Sequence, residues 1–371
     1  MEAKQHILPP FTTSSSGEIT THGVSFALVF GSVERLSDQF LITSLLDRFE
    51  DIPLVFVSTA GEIAGSEVLS DSVVVTTIGF EHTQVLSFSE SLENPEDSSH
   101  AGQRLAAQIP TEGLRHILVF SDGVGVNGDY FLEGLRGGLP LDVIVSGGLA
   151  GDNGRFTETL VGLSEPPKPG RIAALAFYGD RLHVHQGIGG GWHPFGPLRQ
   201  VTRSAENVLF EMDGNPALDL YTSYLGRMAD ELPSSALRFP LLVKLPGGQE
   251  VVRTILSIDI AARSMTFAGN LPEGSAVQFM MGAASRLVEG AALAAEGANK
   301  GNYPFVLLVS CVGRRIVLGN QVHLEVDAVR SQFGEISVFS GYYSNGEIAT
   351  ETGQACALHN QTMTIVAYSE S

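Results

Sequence analysis

Cysteine is almost absent from this sequence, with Cys311 and Cys356 the only two among 371 residues. Two cysteines are too few for a disulfide framework. Their spacing provides neither a CxxC pair for zinc or redox chemistry nor a CxxCH motif for covalent haem attachment. We therefore expect both side chains to be free thiols in a reducing compartment.

Positive charge is also scarce, because 22 Lys and Arg residues face 41 Asp and Glu residues and give a net charge of −19. Such a chain repels nucleic-acid backbones and anionic membrane surfaces, so we expect neither as a partner. No stretch approaches the roughly 20 apolar residues that a membrane span requires, and the first residues lack the apolar core of a signal peptide. We expect a cytoplasmic protein.

Apolar residues are plentiful, at 43% of the sequence against 17% charged residues, which indicates a globular protein with a sizeable core. The length favours two domains of roughly 100–200 residues each. We predict a mixed α/β fold of two packed domains, each with a central β-sheet and flanking helices. A polar, Ser/Thr-rich flexible tail is expected over residues 1–22, and the domains over residues 23–206 and 207–371.

Five apolar runs of strand length end in serine, at Ser58, Ser121, Ser146, Ser310 and Ser340. Continuous apolar runs are typical of strands buried on both faces. Ligands of open α/β sheets bind beyond the strand ends, where glycine lets the backbone approach and serine offers a hydroxyl. The loops after the five runs are therefore predicted to form one pocket. The alternative is that Ser, Gly and Asp only form the turns that end these strands.

Residues 121–146 and residues 310–340 have the same predicted order of strand end, helix and strand end. This similarity indicates either a distant internal duplication or two ordinary α/β units. The tetrapeptide GEIA occurs at residues 61–64 and 346–349, outside the register of that duplication. Ser37 is predicted to cap the helix that follows it, and RFTETLVG, residues 155–162, has a strand-like pattern.

The order of several motifs resembles that of the FIST family: STAGEIAG, FSDGVGVNG, SGGLAGD, PALDLYTSYLG, SCVGRR, GYYSNGEIA and LHNQTMTI. The resemblance begins near Val24 and implies a FIST N-terminal domain followed by a FIST C-terminal domain. It implies an intracellular sensor that binds a small ligand and signals through a separate protein, such as a histidine kinase or a cyclic-dinucleotide enzyme. Some members of the family are haem proteins that sense nitric oxide, and amino acids or related metabolites have been suggested for others.

The predicted ligand-binding residues lie in these loops and motifs, and we do not expect the protein to be an enzyme. They are Ser58, Gly61, Glu62, Ser121, Asp122, Ser146, Gly148, Asp152, Ser310, Cys311, Arg314, Arg315, Tyr343, Gly346, Glu347 and Asn360.

If haem is the cofactor, its iron requires an axial side chain surrounded by an apolar pocket. His193 lies beside Trp192 and Phe195 in a Gly-rich segment that is expected to be a loop, and His359 lies in the LHNQT motif, also expected to be a loop. These two histidines are the predicted metal ligands. A structural or surface role is the alternative for each.

Cys311 precedes Arg314 and Arg315, which could lower the pKa of its thiol. With His359 and Glu347 it could form a thiol-dependent hydrolase or transferase site, which is our alternative hypothesis for the function. The two arginines could bind a ligand carboxylate or haem propionates. They could equally pair with Glu62 or Glu347.

Overall fold

The computed structural model describes residues 1–8, 19–232, 234–245, 248, 250–350 and 355–371. The fold is mixed α/β, as predicted. Its strands are Glu2–Leu8 (β1), Phe26–Gly31 (β2), Leu54–Ser58 (β3), Glu62–Ala64 (β4), Glu67–Leu69 (β5), Val73–Gly79 (β6), Gln84–Ser91 (β7), Leu114–Ser121 (β8), Ile144–Leu149 (β9), Val161–Leu163 (β10), Arg171–Tyr178 (β11), Leu182–Gly189 (β12), Trp192–Ala205 (β13), Val208–Met212 (β14), Asn215–Pro216 (β15), Leu241–Lys244 (β16), Glu250–Arg253 (β17), Ile255–Asp259 (β18), Ser264–Phe267 (β19), Ala276–Gly282 (β20), Phe305–Cys311 (β21), Val338–Ser344 (β22), Gly346–Thr350 (β23), Cys356–His359 (β24) and Met363–Glu370 (β25). Its α-helices are Val33–Leu36 (α1), Gln39–Arg48 (α2), Ser98–Gln108 (α3), Gly128–Gly137 (α4), Ala217–Leu225 (α5), Ala284–Ala298 (α6), Val312–Leu318 (α7) and His323–Arg330 (α8). None of these described helices is both long and apolar enough to cross a membrane.

The strands form four sheets, and three of them share one plan. Their orders are β1-β6-β2-β3-β10 in the first sheet, β7-β11-β8-β9-β23-β24 in the second and β12-β25-β21-β22-β4-β5 in the third. Each of the three contains one parallel pair: β2 with β3, β8 with β9, and β21 with β22. Helices connect the two strands of each pair, as parallel pairing requires. The predicted similarity of residues 121–146 and 310–340 is thus real, and β2–α2–β3 repeats the unit a third time.

After each parallel pair the chain crosses into the sheet of another unit. Strand β4 pairs with β22, β10 with β3, and β23 with β9, so the three crossings form a closed cycle. Glu62 lies opposite Tyr342 and Glu347 lies opposite Gly148, which places both GEIA segments at the same step of this cycle. As expected, the two GEIA segments are out of register with the duplication of residues 121–146 and 310–340, because the first of them follows the β2–β3 pair; they match as parts of the threefold repeat.

The N-terminal residues are part of this arrangement. Strand β1 pairs antiparallel with β6 along its whole length, from Glu2 opposite Gly79 to Leu8 opposite Val73. The prediction of a flexible tail was therefore wrong for these residues, whose backbone is held by a neighbouring strand despite their polar side chains. The rest of that prediction, over residues 9–18, lies outside the described residues. The Met1 amino group lies 3.7 Å from the Glu370 carboxylate, which brings the two ends of the sequence together.

The fourth sheet has the order β17-β16-β20-β13-β14-β19-β18. The predicted domain boundary at residue 206 falls inside its β13–β14 hairpin, where Ala205 pairs with Val208. The first three sheets also combine strands from both sides of that boundary, since β23 and β24 join β9 and β4 joins β22. The two predicted domains are thus interlocked by shared sheets, and the boundary itself stays a prediction.

Three local predictions differ from the structure. Asp38, not Ser37, caps α2, because its carboxylate accepts hydrogen bonds from the backbone N–H groups of Phe40 and Leu41. Of residues 155–162, only the last two belong to a strand. The predicted strand ends at Ser146 and Ser340 lie inside strands that continue for several residues, because glycine follows each serine without ending the pairing.

The core between the first three sheets is aromatic. Phe30 of the first unit, Phe120 of the second and Tyr342 of the third meet with ring centroids 4.9 to 6.1 Å apart. Gly341 lies at the closest approach of β21 and β22, where a Cβ atom would be 2.0 Å from the Leu308 carbonyl oxygen. This close packing fixes the three parallel pairs relative to one another.

Candidate functional site

The carboxyl ends of the three parallel pairs converge at one edge of the molecule. The Ala60 backbone N–H donates to the Tyr343 carbonyl oxygen at 2.8 Å, and the Gly151 N–H donates to the Ser58 carbonyl oxygen at the same distance. These bonds join the crossings of neighbouring units. The sequence-based expectation that the loops gather is supported here, although the loops contact one another through backbone atoms.

Most of the predicted serine hydroxyls bond to other protein groups. Ser58 bonds to the backbone of residues 151 and 160, Ser146 lies 2.7 Å from the imidazole of buried His116, and Ser340 accepts a hydrogen bond from Thr76. Ser310 donates to a buried glutamate. The hydroxyl groups of these four serines therefore form hydrogen bonds within the interior of the fold. Ser121, by contrast, is fully buried and its hydroxyl has no hydrogen-bond partner among the described residues.

Glu62 and Glu347 are buried at equivalent positions of the repeat and are bound by hydroxyl groups. Glu62 accepts from Thr59 at 2.5 Å and Ser72 at 2.7 Å. Glu347 accepts from Ser344 at 2.6 Å and from the hydroxyl and backbone N–H of Thr362 at 2.8 and 3.1 Å. Burial raises the pKa of both carboxyl groups, to about 8 for Glu347. Glu347 is therefore mostly uncharged at neutral pH.

Arg314 belongs to a closed buried network. Its guanidinium donates to the Glu325 carboxylate at 2.8 and 3.0 Å and to the backbone carbonyl oxygens of Gly190 and Leu287. Glu325 also accepts hydrogen bonds from Ser310 and Tyr343, so this acid has donors on both oxygens. Arg314 thus pairs with Glu325 and not with Glu62 or Glu347, the two partners that the sequence suggested.

Arg315 is half-buried and lies over the Tyr343 ring at 5.6 Å from its centroid. It donates to the Ala60 carbonyl oxygen, to Ser70 and to the Asn153 side chain. A Cβ atom on Gly61, whose φ is +126°, would lie 2.5 Å from the guanidinium. Glycine at this position therefore leaves room for the Arg315 guanidinium beside the loop between β3 and β4.

The environment of Cys311 is opposite to the one predicted. Burial is the main cause of a strongly raised pKa for its thiol, the nearby Glu347 carboxyl raises it further, and Arg314 opposes this only weakly. Proximity in sequence suggested an arginine-activated thiolate, whereas the guanidinium of Arg314 is already bound to Glu325. Within the described parts of the chain, no hydrogen bond joins Cys311 to His359.

The two predicted loop carboxylates organise their own loops. Asp122 accepts hydrogen bonds from the backbone N–H groups of residues 124, 125 and 170. Asp152 accepts from those of Phe156, Thr157 and Glu158. Both are turn-forming residues, as the alternative reading of the sequence proposed. Asp152 holds residues 152–159, an insertion before β10 that the other two units lack.

The two predicted metal ligands, His193 and His359, lie in different environments. His193 is exposed on β13, where it pairs with Met281, and the expectation of a loop was wrong because the Gly-rich segment ends at Gly191. His359 is buried at the end of β24, opposite Glu347, and burial lowers its pKa to about 4. Across the described ranges, no group of three His, Cys, Asp or Glu side chains is placed to hold a metal ion.

A set of buried polar atoms near Glu347 makes no hydrogen bond to other described residues. The atoms are Ser121 Oγ, Asn345 Oδ1, His359 Nε2, both side-chain amide atoms of Asn360, and Gln361 Oε1. Two members of the set lie close to glycines, since Cβ atoms on Gly123 and Gly346 would lie 3.2 Å from the Asn345 amide nitrogen and 3.4 Å from that of Asn360. Groups of this kind usually bind ordered water or a polar ligand.

A cleft of about 360 Å³ lies between the insertion, α7 and the segment before β16, and we call it the junction cleft. It is lined by Asn153, Gly154, Arg155, Phe156, Glu231, Ser235, Leu237, Arg238, Ile255, Leu256 and Ile316. Gln361 is buried behind this lining, and its side-chain amide nitrogen donates to the Leu237 carbonyl oxygen at 3.1 Å and to Thr254 at 3.0 Å. The Gln361 carbonyl oxygen accepts from the indole of Trp192 at 2.7 Å.

None of these cleft residues was predicted from the sequence as a site residue. The neighbouring residues Asp152, Arg315 and Asn360 were predicted, because they belong to motifs at strand ends. Phe156, Leu237 and Ile316 belong to no recognisable motif. They come together in the fold through contacts between segments that are far apart in sequence. The LHNQT motif did contain Gln361, whose φ is +65°; Asn153 and Phe156 of the lining also have positive φ, at +60° and +52°.

Comparison with known proteins agrees with this architecture. The sequence model of the FIST N domain matches residues 25–215, and that of the FIST C domain matches residues 217–350. No curated protein matches the chain. Among solved structures, cyanuric acid hydrolase from A. caulinodans is 10% identical with a TM-score of 0.36, over 99% of this chain and 98% of the hydrolase, a similarity too low to support an inference. FIST domains are small-ligand sensory domains of signalling proteins. The chain belongs to the FIST family.

Proposed function

We propose that this FIST protein is a sensor that binds a small amino-acid-like metabolite in the junction cleft. The observation that carries the proposal is the position of the cleft. Residues 153–156, within the FIST N region, form one wall, and Ile316 with the other lining residues, all within the FIST C region, form the other. Its volume is within the range of small-ligand sites, about 300–1,000 Å³. A ligand held between these walls would couple their positions, which is what a sensor requires.

The chemistry of the walls favours a ligand with both charged and apolar parts. Phe156, Leu237 and Ile316 supply apolar surface, and Arg238 supplies an exposed guanidinium with no carboxylate in ion-pair range among the described residues. Guanidinium binds carboxylates through paired hydrogen bonds. Glu231 adds a negative charge to the same lining, and this charge would attract an ammonium group. An amino acid or a close derivative carries these three features together.

Haem fits the described residues less well than a metabolite does. A haem site needs its axial ligand beside a broad apolar pocket. His193 is exposed on a strand, and His359 is enclosed by Glu347 and other buried polar residues. Neither histidine lines the junction cleft. We therefore propose a colourless ligand, and expect protein incubated with haemin to show no stoichiometric Soret band.

We also propose that the protein acts by binding rather than by turnover. The hydrolase alternative requires a thiolate at Cys311, whereas burial raises the pKa of that thiol. Substituting Cys311 by Ser should accordingly leave ligand affinity unchanged. Signalling would then need a separate output protein, such as a histidine kinase or a cyclic-dinucleotide enzyme.

The proposal is tested by thermal-shift screening with the twenty amino acids and their amide and decarboxylated derivatives, followed by calorimetry on any hit. Arg238→Gln removes the proposed carboxylate contact, and Ile316→Phe fills the cleft. Each should weaken binding at least tenfold. Arg263→Gln is the matched control, because Arg263 is an exposed arginine paired with Asp219 elsewhere in the FIST C region. An absence of hits, or equal affinity in all three variants, would overturn the proposal.

A further inference from the structure

A second, larger cleft lies at the opposite end of the β8–β9 pair and has a volume of about 940 Å³. It is lined by Ile144 at the start of β9, by β12 and by the ends of α4 and α6. Strand β9 runs from Ile144 to Leu149, so the two ends lie roughly 17 Å apart at the usual rise per residue. We call this space the lower cleft. It is distinct from the junction cleft and from the buried polar set.

The charge of the lower cleft is unusual for this chain. Arg136 and Lys300 both line it, and neither has a carboxylate in ion-pair range among the described residues. His185 also lines the cleft, where burial and then the neighbouring His183 and Lys300 lower its pKa, so it adds little positive charge at neutral pH. Among the residues that the structure describes, Asp142 is the one acidic residue in the lining. In a chain of net charge −19, unpaired cations gathered around one cleft indicate an anionic ligand.

Apolar side chains line the same cleft. Leu141 is 86% exposed at the rim, and Ile144, Val184 and Ile188 form part of the walls. An exposed large apolar residue costs solvation free energy of about 25 cal/mol per Å² of surface, which a ligand would recover by covering it. Apolar walls together with cations at one site favour a molecule that has both an apolar body and a negative group.

We infer that the lower cleft binds an amphipathic organic anion, with its carboxylate or phosphate group at Arg136 and Lys300 and its apolar body against Leu141 and Ile188. Carboxylate and phosphate are both bound by guanidinium and ammonium groups, so the structure specifies this shared chemistry. The site is independent of the junction cleft, and a molecule bound there would contact α4 and α6 together.

The probe for this inference is 8-anilinonaphthalene-1-sulfonate, a fluorescent apolar anion. It should bind wild-type protein at one saturable site, with an affinity that falls as salt is added. The double variant Arg136→Gln/Lys300→Gln should weaken binding at least tenfold. Lys244→Gln/Arg263→Gln, which removes two exposed cations of the FIST C region, should change the affinity less than twofold.

Competition then identifies the chemical source of the negative group. Displacement of the probe by octanoate supports a carboxylate ligand, and displacement by an alkyl phosphate supports a phosphate ligand. Displacement by neither, multiple sites, or equal binding in both double variants would overturn the inference. If the Arg136 substitution lowers the melting temperature, the single variant Lys300→Gln, at an exposed side chain, provides the same test with a smaller expected loss.

Discussion

The Arg314–Glu325 pair should contribute more to stability than any exposed ion pair of this protein. Both side chains have no exposed surface, and the carboxylate accepts hydrogen bonds from Arg314, Ser310 and Tyr343. Glu325→Gln keeps the shape but leaves the buried guanidinium without a counter-charge. Removing one partner of a buried pair costs about 3–5 kcal/mol. We expect that loss in the free energy of unfolding, because arginine cannot give up its proton.

The assay is urea unfolding at pH 7, followed by near- and far-UV circular dichroism to check that the two transitions coincide. A double-mutant cycle with Arg314→Met isolates the interaction, which should amount to about 2–3 kcal/mol for groups in direct contact. The matched control is Glu289→Gln, because Glu289 pairs with Arg286 at 2.9 Å and both side chains are more than half exposed. Its cost should stay below about 1 kcal/mol. Equal costs for Glu325→Gln and Glu289→Gln would refute the reasoning.

Three further predictions concern buried groups elsewhere. Burial raises the pKa of Glu347 to about 8, so the free energy of unfolding of the wild-type protein should fall as pH rises from about 4.5 to 8. For Glu347→Gln this fall should be smaller by a few kcal/mol. Urea unfolding at several pH values measures both. For Glu370, burial opposes ionisation, but hydrogen bonds led by Thr83 outweigh it and lower the pKa to about 2. The contribution of this carboxylate to stability is therefore present above about pH 4.5 and is lost towards pH 2. Glu370→Gln should lower the melting temperature at pH 7 but not at pH 2. Gly341→Ala should destabilise by more than about 2 kcal/mol, because its Cβ would lie 2.0 Å from the Leu308 carbonyl oxygen; a melting temperature equal to that of wild type would contradict this packing.

The parallel strands were predictable from sequence because burial on both faces produces continuous apolar runs. The sequence therefore indicated β3, β8 and β21, including the ends at Ser58 and Ser121, whereas β21 continues to Cys311, one residue beyond the predicted end at Ser310. The crossing strands were not predictable, because β4 and β23 are short and their partners belong to other units. Repetition of the GEIA tetrapeptide was the available signal, and only the three-dimensional cycle shows its register.

Side-chain partners were harder to predict than strands. Arg314 and Cys311 are close in sequence, but the guanidinium binds Glu325 of α8 and the thiol is buried near Glu347. Polarity alone marked Asp122 and Asp152 as site residues, yet both satisfy backbone N–H groups of their own loops. The residues of the junction cleft come together through contacts between the insertion and the FIST C region, which no local pattern in the sequence reveals.

Binding of an amino-acid-like ligand in the junction cleft can be measured through the fluorescence of Trp192. It is the single tryptophan of the chain, is buried, and donates a hydrogen bond to the main-chain carbonyl oxygen of Gln361, whose side-chain amide donates to the carbonyl oxygen of Leu237 in the cleft lining. Titration with a ligand from the thermal-shift screen should change its emission at one saturable site. The change should disappear in Arg238→Gln and persist in Arg263→Gln. A ligand that binds by calorimetry yet leaves Trp192 emission unchanged, or changes it equally in both variants, would contradict the claim.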